Sequence, residues 1–402
     1  VSSLAELLGQ QPPQAAQQDA FLASYGFKRN PFPAARTIIE DVLYNQVAAL
    51  DRFVSLVREV LSDAPQRRAI GVIGGTGGGK THFLRHCQHL MRTYRQTAAR
   101  PLIVVEVLAG SCSAIQLVRE IYREADEAAK IGGEYDLLTA IVRSVDSEQE
   151  FDRVKHAELK GLLQLLFRAM QKGFVPPDRD GRMHFEPLRD LAKKWLAGAA
   201  LSNTEKRHLG VFSRLSSAAM MTRLLTEILT LARHKQIADG VMLCLDEVET
   251  LFSGGVGTAK IQSFLQDVRY FFDEAVKGND GYSLLMLSGS TPNGAANLRN
   301  YNYPLYQRLG FEETSQAVLV PISSREEAKE MAQVYIDYEL KHAKLKGRFP
   351  NILDDEDIEE AYRAAAGERL GQIAHTQRVN QGQLLQAFHQ IVESKRIAES
   401  AA

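Results

Sequence analysis

Gly74-Gly75-Thr76-Gly77-Gly78-Gly79-Lys80-Thr81 has the residue types and the spacing of a phosphate-binding loop. An apolar run, Ile70–Ile73, precedes it, and a helical pattern opening near His82 follows. Glycines let the backbone turn its N–H groups inward around an anion. The start of the helix adds the positive end of its dipole. Lys80 carries the point charge for the β- and γ-phosphates, and the Thr81 hydroxyl is suited to Mg²⁺. Gly74 to Thr81, with His82 beside them, are therefore the candidate nucleotide-binding residues, with ATP the ligand and Mg²⁺ its metal. A Gly-rich turn with no ligand is the bland alternative. It leaves five glycines, a Lys and a Thr at this spacing unexplained.

A second group complements the first. Val241-Met242-Leu243-Cys244-Leu245 is an apolar strand that runs into Asp246 and Glu247. Functional groups gather at the carboxyl ends of parallel strands. There Asp246 would hold the Mg²⁺ shell and Glu247 would polarise an attacking water. The plain alternative is an acidic helix start. A later strand, Ser283–Leu287, leads into Ser288-Gly289-Ser290-Thr291-Pro292-Asn293-Gly294. Ser290, Thr291 and Asn293 all qualify to sense a γ-phosphate, against ordinary turn chemistry. Arg308, in Tyr303-Pro304-Leu305-Tyr306-Gln307-Arg308, could reach a phosphate of a neighbouring copy, because Arg stays charged and offers a planar fork of donors. A surface Arg is the bland alternative.

These groups need a scaffold of parallel strands. The short aliphatic runs Ile70–Ile73, Leu102–Leu108, Val241–Leu245, Ser283–Leu287 and Ala317–Val320 read as strands buried on both faces. Helical patterns separate them, which predicts an α/β core with a five-stranded parallel sheet. About 130 residues lie between the second and third runs, more than one crossover helix needs. They read as helices: Ile115–Ala129, Leu137–Val145, Glu158–Lys172, Pro187–Ala197 and Leu215–His234, with a loop at Pro176–Gly181. After Pro321 the pattern is helical again: Arg325–Leu345, Asp354–Ala366 and Thr376–Ser394. The expected division is a disordered segment 1–20, a core of 21–112 and 236–322, an inserted helical subdomain 113–235 and a helical lid 323–402.

Composition bounds the rest. The 402 residues are 45 % hydrophobic, enough to bury a sizeable core. No apolar run reaches the roughly 18 residues of a membrane span, and the Gln-rich N-terminus is unlike a signal peptide. The scattered Cys87, Cys112 and Cys244 suit buried thiols in a reducing cytoplasm. The formal net charge of −1 says nothing about partners. Its distribution says more: Phe151–Lys235 holds 16 Lys/Arg against 8 Asp/Glu. That excess suits phosphate contact or a solvated helical surface.

Taken together, residues 25 to 395 resemble AAA+ ATPases. The Asn30-Pro31-Phe32 entry, strand order and lid look most like the initiator and loader branch, relatives of origin-recognition ATPases. In the insert, Trp195-Leu196-Ala197-Gly198, Leu201-Ser202 and Lys206-Arg207-His208-Leu209-Gly210-Val211, followed by Leu243–Glu249, resemble P-loop ATPases of bacterial phage-exclusion (BREX-type) defence loci. The resemblance implies a homo-oligomeric ATPase on DNA, with a nuclease, helicase or methyltransferase partner. It assigns Arg308 as an arginine finger and Arg378 as the lid arginine, although Gln377 stands where the family has Pro. It puts Tyr44 and Asn45 near the adenine. Two other roles fit the same motifs: a nucleotide-dependent signalling switch, and a transposition-type targeting ATPase.

Overall fold

The computed structural model describes residues 20–34, 37–95, 101–108, 113–129, 135–173, 183–252, 257–277, 280–343, 349–367 and 378–401. Residues 1–19, Cys112, the Pro176–Gly181 loop and Thr376-Gln377 lie outside them. The chain divides into two compact units. One comprises residues 46–75 and 80–319; the other comprises 1–45, 76–79 and 320–402.

The larger unit is built on a five-stranded sheet. Its strands are β1 (Arg67–Ile73), β2 (Leu102–Leu108), β3 (Gly240–Asp246), β4 (Ser283–Ser290) and β5 (Ala317–Val318). Their order is β2-β3-β4-β1-β5, and every pairing is parallel. All five runs predicted from the sequence contribute a strand, but β5 covers only Ala317–Val318 of the run Ala317–Val320, and at the sheet edge Val318 is exposed, so this run is not buried on both faces. β3 and β4 are buried along their whole length, which is why they read as continuous aliphatic runs. The register pairs Ile73 with Ser290, Leu245 with Ser288, and Leu108 with Asp246. The carboxyl ends of β1, β3 and β4 therefore finish side by side.

Helices cover the sheet. α1 (Val47–Val60) precedes β1, and α2 (Lys80–Arg95) follows it. Between β2 and β3 the chain inserts α3 (Ala114–Ala128), α4 (Leu137–Arg143), α5 (Ala157–Lys172), α6 (Phe185–Leu196), α7 (Asn203–Leu209) and α8 (Ala218–His234). These helices share one continuous core with the sheet: Ile103 and Leu243 of the strands are buried with Leu162, Trp195, Leu225 and Ile228 of the insert. α9 (Thr258–Glu274), α10 (Pro292–Tyr301) and α11 (Tyr303–Arg308) complete this unit.

The smaller unit joins an N-terminal stretch to the C-terminal helices α12 (Arg325–Ala343), α13 (Asp355–Ala366) and α14 (Gln381–Ala401). Phe27, Phe32, Val42 and Tyr44 are buried with Met331, Tyr335, Ile358 and Phe388. The Asn30-Pro31-Phe32 segment docks on α14: Asn30 Nδ2 donates to His389 O at 3.2 Å and to Glu393 Oε1 at 3.0 Å. The Phe32 ring lies 5.0 Å from that of Phe388. A two-residue bridge, Ile322 to Val379, ties the start of α12 to the approach to α14.

Candidate functional site

The larger unit gathers most of the expected site at the carboxyl ends of its strands. Lys80 opens α2 and is buried, 8 % exposed. Its Nζ donates to Gly74 O and Gly75 O, both at 3.2 Å, and lies 3.7 Å from Glu249 Oε1. A buried ammonium needs such partners, because leaving it unpaired is costly. Thr81 Oγ1 donates to Asp246 Oδ2 at 2.6 Å. Asp246 is 3 % exposed, and its other oxygen accepts from Glu247 N at 2.8 Å. One hydroxyl and one carboxylate in contact, both hard oxygens, suit Mg²⁺, which takes a few protein ligands and completes its shell with phosphate and water. Among the described residues no three His, Cys, Asp or Glu side chains cluster as a metal cage. His82 follows in the first turn of α2, half-buried.

Two glycines make this proximity possible. A Cβ at Gly289 would stand 2.8 Å from Asp246 Oδ1 and 3.2 Å from Leu84 Cδ1. A Cβ at Gly294 would meet Ser290 Oγ at 2.5 Å and Glu249 Cβ at 2.6 Å. Side chains at either place would push the strand end or α10 away from the carboxylates.

Glu247 is exposed and has φ of 55°. A non-glycine residue in this left-handed region is strained, and such strain clusters at functional sites. The turn Val248–Phe252 comes next and holds it: Thr250 N and Oγ1 both donate to Glu247 O, at 2.9 and 2.7 Å.

The three sensor candidates separate. Thr291 is the N-cap of α10, and its Oγ1 accepts from Gly294 N at 3.1 Å. Asn293 is exposed. Ser290 is fully buried, and its Oγ has no hydrogen-bond partner among the described residues. Ser290 is thus the candidate with an uncommitted polar atom at the strand end. Arg308 ends α11 and is committed within its own chain: Nε donates to Asp273 Oδ1 at 2.8 Å and Nη1 to Pro304 O at 3.0 Å.

The smaller unit contains the tip of the Gly-rich loop, Thr76 to Gly79. Gly77 and Gly79 have φ of 73° and 85°, values that favour glycine. Asn380 Nδ2 donates to Thr76 O at 2.8 Å, and Gly382 N to Gly77 O at 3.4 Å. Gln381 Nε2 donates to Tyr44 O at 3.2 Å and lies 3.4 Å from Val320 O. Arg378 is exposed, two residues before Asn380. Tyr44 belongs to the core of this unit, with its hydroxyl donating to Glu330 Oε2 at 2.9 Å. Burial, and then the bond to Glu330, push its phenol well above the usual range. Asn45 has φ of 49°.

Two contacts carry no clear mark in the sequence. In the larger unit Glu249, beside Lys80, has only its proximity to Asp246-Glu247 to signal it, and in the smaller unit Asn380, on Thr76, has no motif at all. One basic residue must be reassigned. Lys193, counted among the insert cations available to phosphate, turns inward: its Nζ lies 2.5 Å from Asp126 Oδ2 and 3.3 Å from Asp136 Oδ2. Burial pulls its pKa down, but the bonds to Asp126 and Asp136 outweigh that and raise it.

No protein-family model matches the chain, and no curated protein sequence matches it. Among solved structures it is similar to three from Aeropyrum pernix. The ORC1 protein in complex with DNA shares 15 % identity at a TM-score of 0.44, over 90 % of this chain and 62 % of that one. The ORC2 protein in its ADP form shares 11 % at 0.48, over 91 % and 66 %. The ORC2 protein in ADPNP–ADP complexes shares 11 % at 0.47, over 93 % and 67 %. The chain thus spans just under two thirds of the length of the first two. The fold class expected from the sequence is the one observed: an α/β core with a five-stranded parallel sheet, helices inserted between β2 and β3, and a helical C-terminal segment.

Proposed function

We propose that this chain is a Mg²⁺-dependent ATPase of the AAA+ class that hydrolyses ATP to ADP and phosphate. The carrying observation is Thr81 Oγ1 in contact with Asp246 Oδ2, beside a buried Lys80 held by loop carbonyls. Lys80 and the loop glycines Gly74 to Gly79 would hold the phosphates. Thr81 and Asp246 would hold Mg²⁺, which supplies charge neutralisation at the phosphates. Glu247 would orient and deprotonate the water, with Ser290 beside the reacting end. Within this reading, the strand ends of the larger unit serve nucleotide chemistry, 113–235 serve partner contact, and the helices of 323–402, which share a core with Phe27, Phe32, Val42 and Tyr44, carry Arg378. The test is ATP binding by calorimetry and phosphate release, for wild type and Lys80→Ala.

The cycle would drive assembly of several copies on DNA, in the cytoplasm, within anti-phage defence and beside a nuclease, helicase or methyltransferase. What supports the DNA contact is the cationic excess of the insert, carried by Lys194, Lys206 and Arg207 once Lys193 is set aside. What supports the defence role is the Trp195–Gly198 and Lys206–Val211 pattern. Phosphate release should rise with DNA and grow faster than linearly with protein concentration. A second reading, a single-subunit nucleotide switch, is favoured by one observation: Arg308 is tied to Asp273 of its own chain. That reading expects slow turnover that is indifferent to DNA.

A further inference from the structure

We infer that Glu249 couples the phosphate-binding lysine to α10, so that phosphate arriving at Lys80 is read by the segment that leads to Arg308. Its carboxylate bridges two groups. Oε1 lies 3.7 Å from Lys80 Nζ, and Oε2 accepts from Thr291 N at 3.3 Å, at the N-cap of α10. The pair is sheltered, with side chains 9 % and 26 % exposed, so its attraction is screened less than that of a surface pair.

The bridge is mechanically tight. Glu249 sits in the 3-10 turn Val248–Phe252, and α10 lies against that turn at both ends. Near the start of α10, Gly294 leaves no room for a Cβ beside Glu249. At its far end the Tyr301 ring stacks on Phe252, with centroids 5.4 Å apart and planes 19° from parallel. Asn302 then joins α10 to α11. Its N–H donates to Leu298 O at 2.8 Å while its side chain caps Leu305 N at 3.1 Å. A displacement of the Glu249 carboxylate is therefore carried through a packed turn and helix toward Arg308.

The inference rests on the reading of Lys80 as the phosphate ligand. A triphosphate and the Glu249 carboxylate are both anions that seek one ammonium, so they compete for it. Binding phosphate weakens the Lys80 side of the bridge, and α10 responds through Thr291. Glu249 is a positioning residue in this scheme; it acts through Lys80 and through α10.

The test uses the full chain with Glu249→Gln and Glu249→Ala. Glutamine keeps the shape and an acceptor for Thr291 N but removes the charge facing Lys80. ATP affinity by calorimetry should rise about threefold or more in Glu249→Gln, the size expected for losing a modest competing ion pair. Hydrogen exchange over residues 291–302 should change when ATP is added to wild type and change much less in Glu249→Ala. A role in helix capping alone would alter exchange equally with and without ATP and leave affinity unmoved. That outcome, or unchanged affinity with a wild-type exchange response, overturns the coupling and leaves the ATP-site reading intact. Wild type that binds no ATP overturns both.

Discussion

At the scale of single residues, the proposed function gives Lys80, Thr81, Asp246, Glu247 and Glu249 separate roles at one end of the sheet, where Lys80 lies near Glu249 and Thr81 touches Asp246. Lys80→Ala removes the ammonium proposed to hold the phosphates, and ATP affinity should fall by roughly tenfold or more, about 1.4 kcal/mol. Glu247 offers a sharper comparison, because it is strained as well as chemical. Glu247→Gln should bind ATP and fail to turn it over. Glu247→Gly should also be inactive, yet it relieves a φ of 55° that glycine adopts freely. Its unfolding free energy in urea should equal or exceed that of wild type, by up to about 1 kcal/mol. A Glu247→Gly variant clearly less stable than Glu247→Gln would show that the residue is not strained. Gly289→Ala tests the spacing around Asp246. The added methyl has 2.8 Å to the carboxylate oxygen, so Mg²⁺-dependent turnover should drop while the fold persists. Wild-type kinetics with normal Mg²⁺ dependence would count against the assignment of Asp246.

At the scale of elements, the insert is an integral part of its unit. The motif that resembles defence ATPases serves its own packing. Trp195 Nε1 donates to Ser213 O at 3.1 Å, and Arg119 donates to Gly198 O at 3.2 Å and Leu215 O at 3.4 Å. Glu158 receives Phe212 N and Ser213 N, each at 2.9 Å. The Lys193 cluster locks α6 to α3 and to the start of α4. Lys193→Met should leave the buried Asp126 uncompensated and Asp136 with the more distant Arg189, at 3.9 Å, and cost about 3 kcal/mol in urea unfolding. Adding Asp126→Asn should recover part of that loss. DNA affinity should be unchanged in Lys193→Met but should fall when Lys194, Lys206 and Arg207 become Glu, with a shallower salt dependence.

The pH behaviour of this cluster is set by its charges. Burial raises Asp126, so its ionisation opposes folding as pH rises. Asp136 is also pushed up by burial, but its bonds to Thr139 and Lys193 win and lower it. Its contribution is present above the ordinary carboxylate value and lost as pH falls through the folded one. Lys193, raised, contributes below the ordinary lysine value and loses that contribution as pH climbs through the folded one. The stability gap between wild type and Lys193→Met should therefore hold between about pH 6 and 9 and shrink below about pH 4 and as pH climbs beyond the ordinary lysine value of 10.5. A gap that is flat across the whole range would mean that the cluster does not carry the effect.

At the scale of the whole molecule, the open question is whether one copy completes another. Arg308 is bound to Asp273, which also faces Arg67 and Arg269, each at 3.6 Å. To act on a neighbour it must leave that carboxylate. Arg308→Ala should leave ATP affinity of the isolated chain nearly intact and cut hydrolysis by roughly 10³-fold, the scale of arginine fingers. Mixing Arg308→Ala with Lys80→Ala should restore some turnover, because interfaces of one orientation then combine an intact loop with an intact Arg. A mixture that co-assembles and stays inactive points to the single-subunit switch.

Short aliphatic runs and glycine spacing were enough to locate all five strands, the loop and the acidic strand end. Those features are local: a strand buried on both faces must be apolar along its length, and a phosphate loop needs its glycines, Lys and Thr in consecutive positions. The contact of Thr81 with Asp246 arises from them only through the parallel order of β1, β4 and β3, which places residues 165 positions apart in hydrogen-bond range. The remaining assignments depended on partners distant in the chain. Lys193 belongs by sequence to the cations available to phosphate, and only the fold pairs it with Asp126 and Asp136. Ser290, Thr291 and Asn293 were equivalent as a turn, and only the capping of α10 and the burial of β4 separated them. Glu249 became part of the site because α10 folds back on its turn, and Asn380 met Thr76 across 304 residues of chain. Local sequence carries backbone conformation and hydrophobic pattern; which polar groups become partners is decided by the packing that excludes water around them.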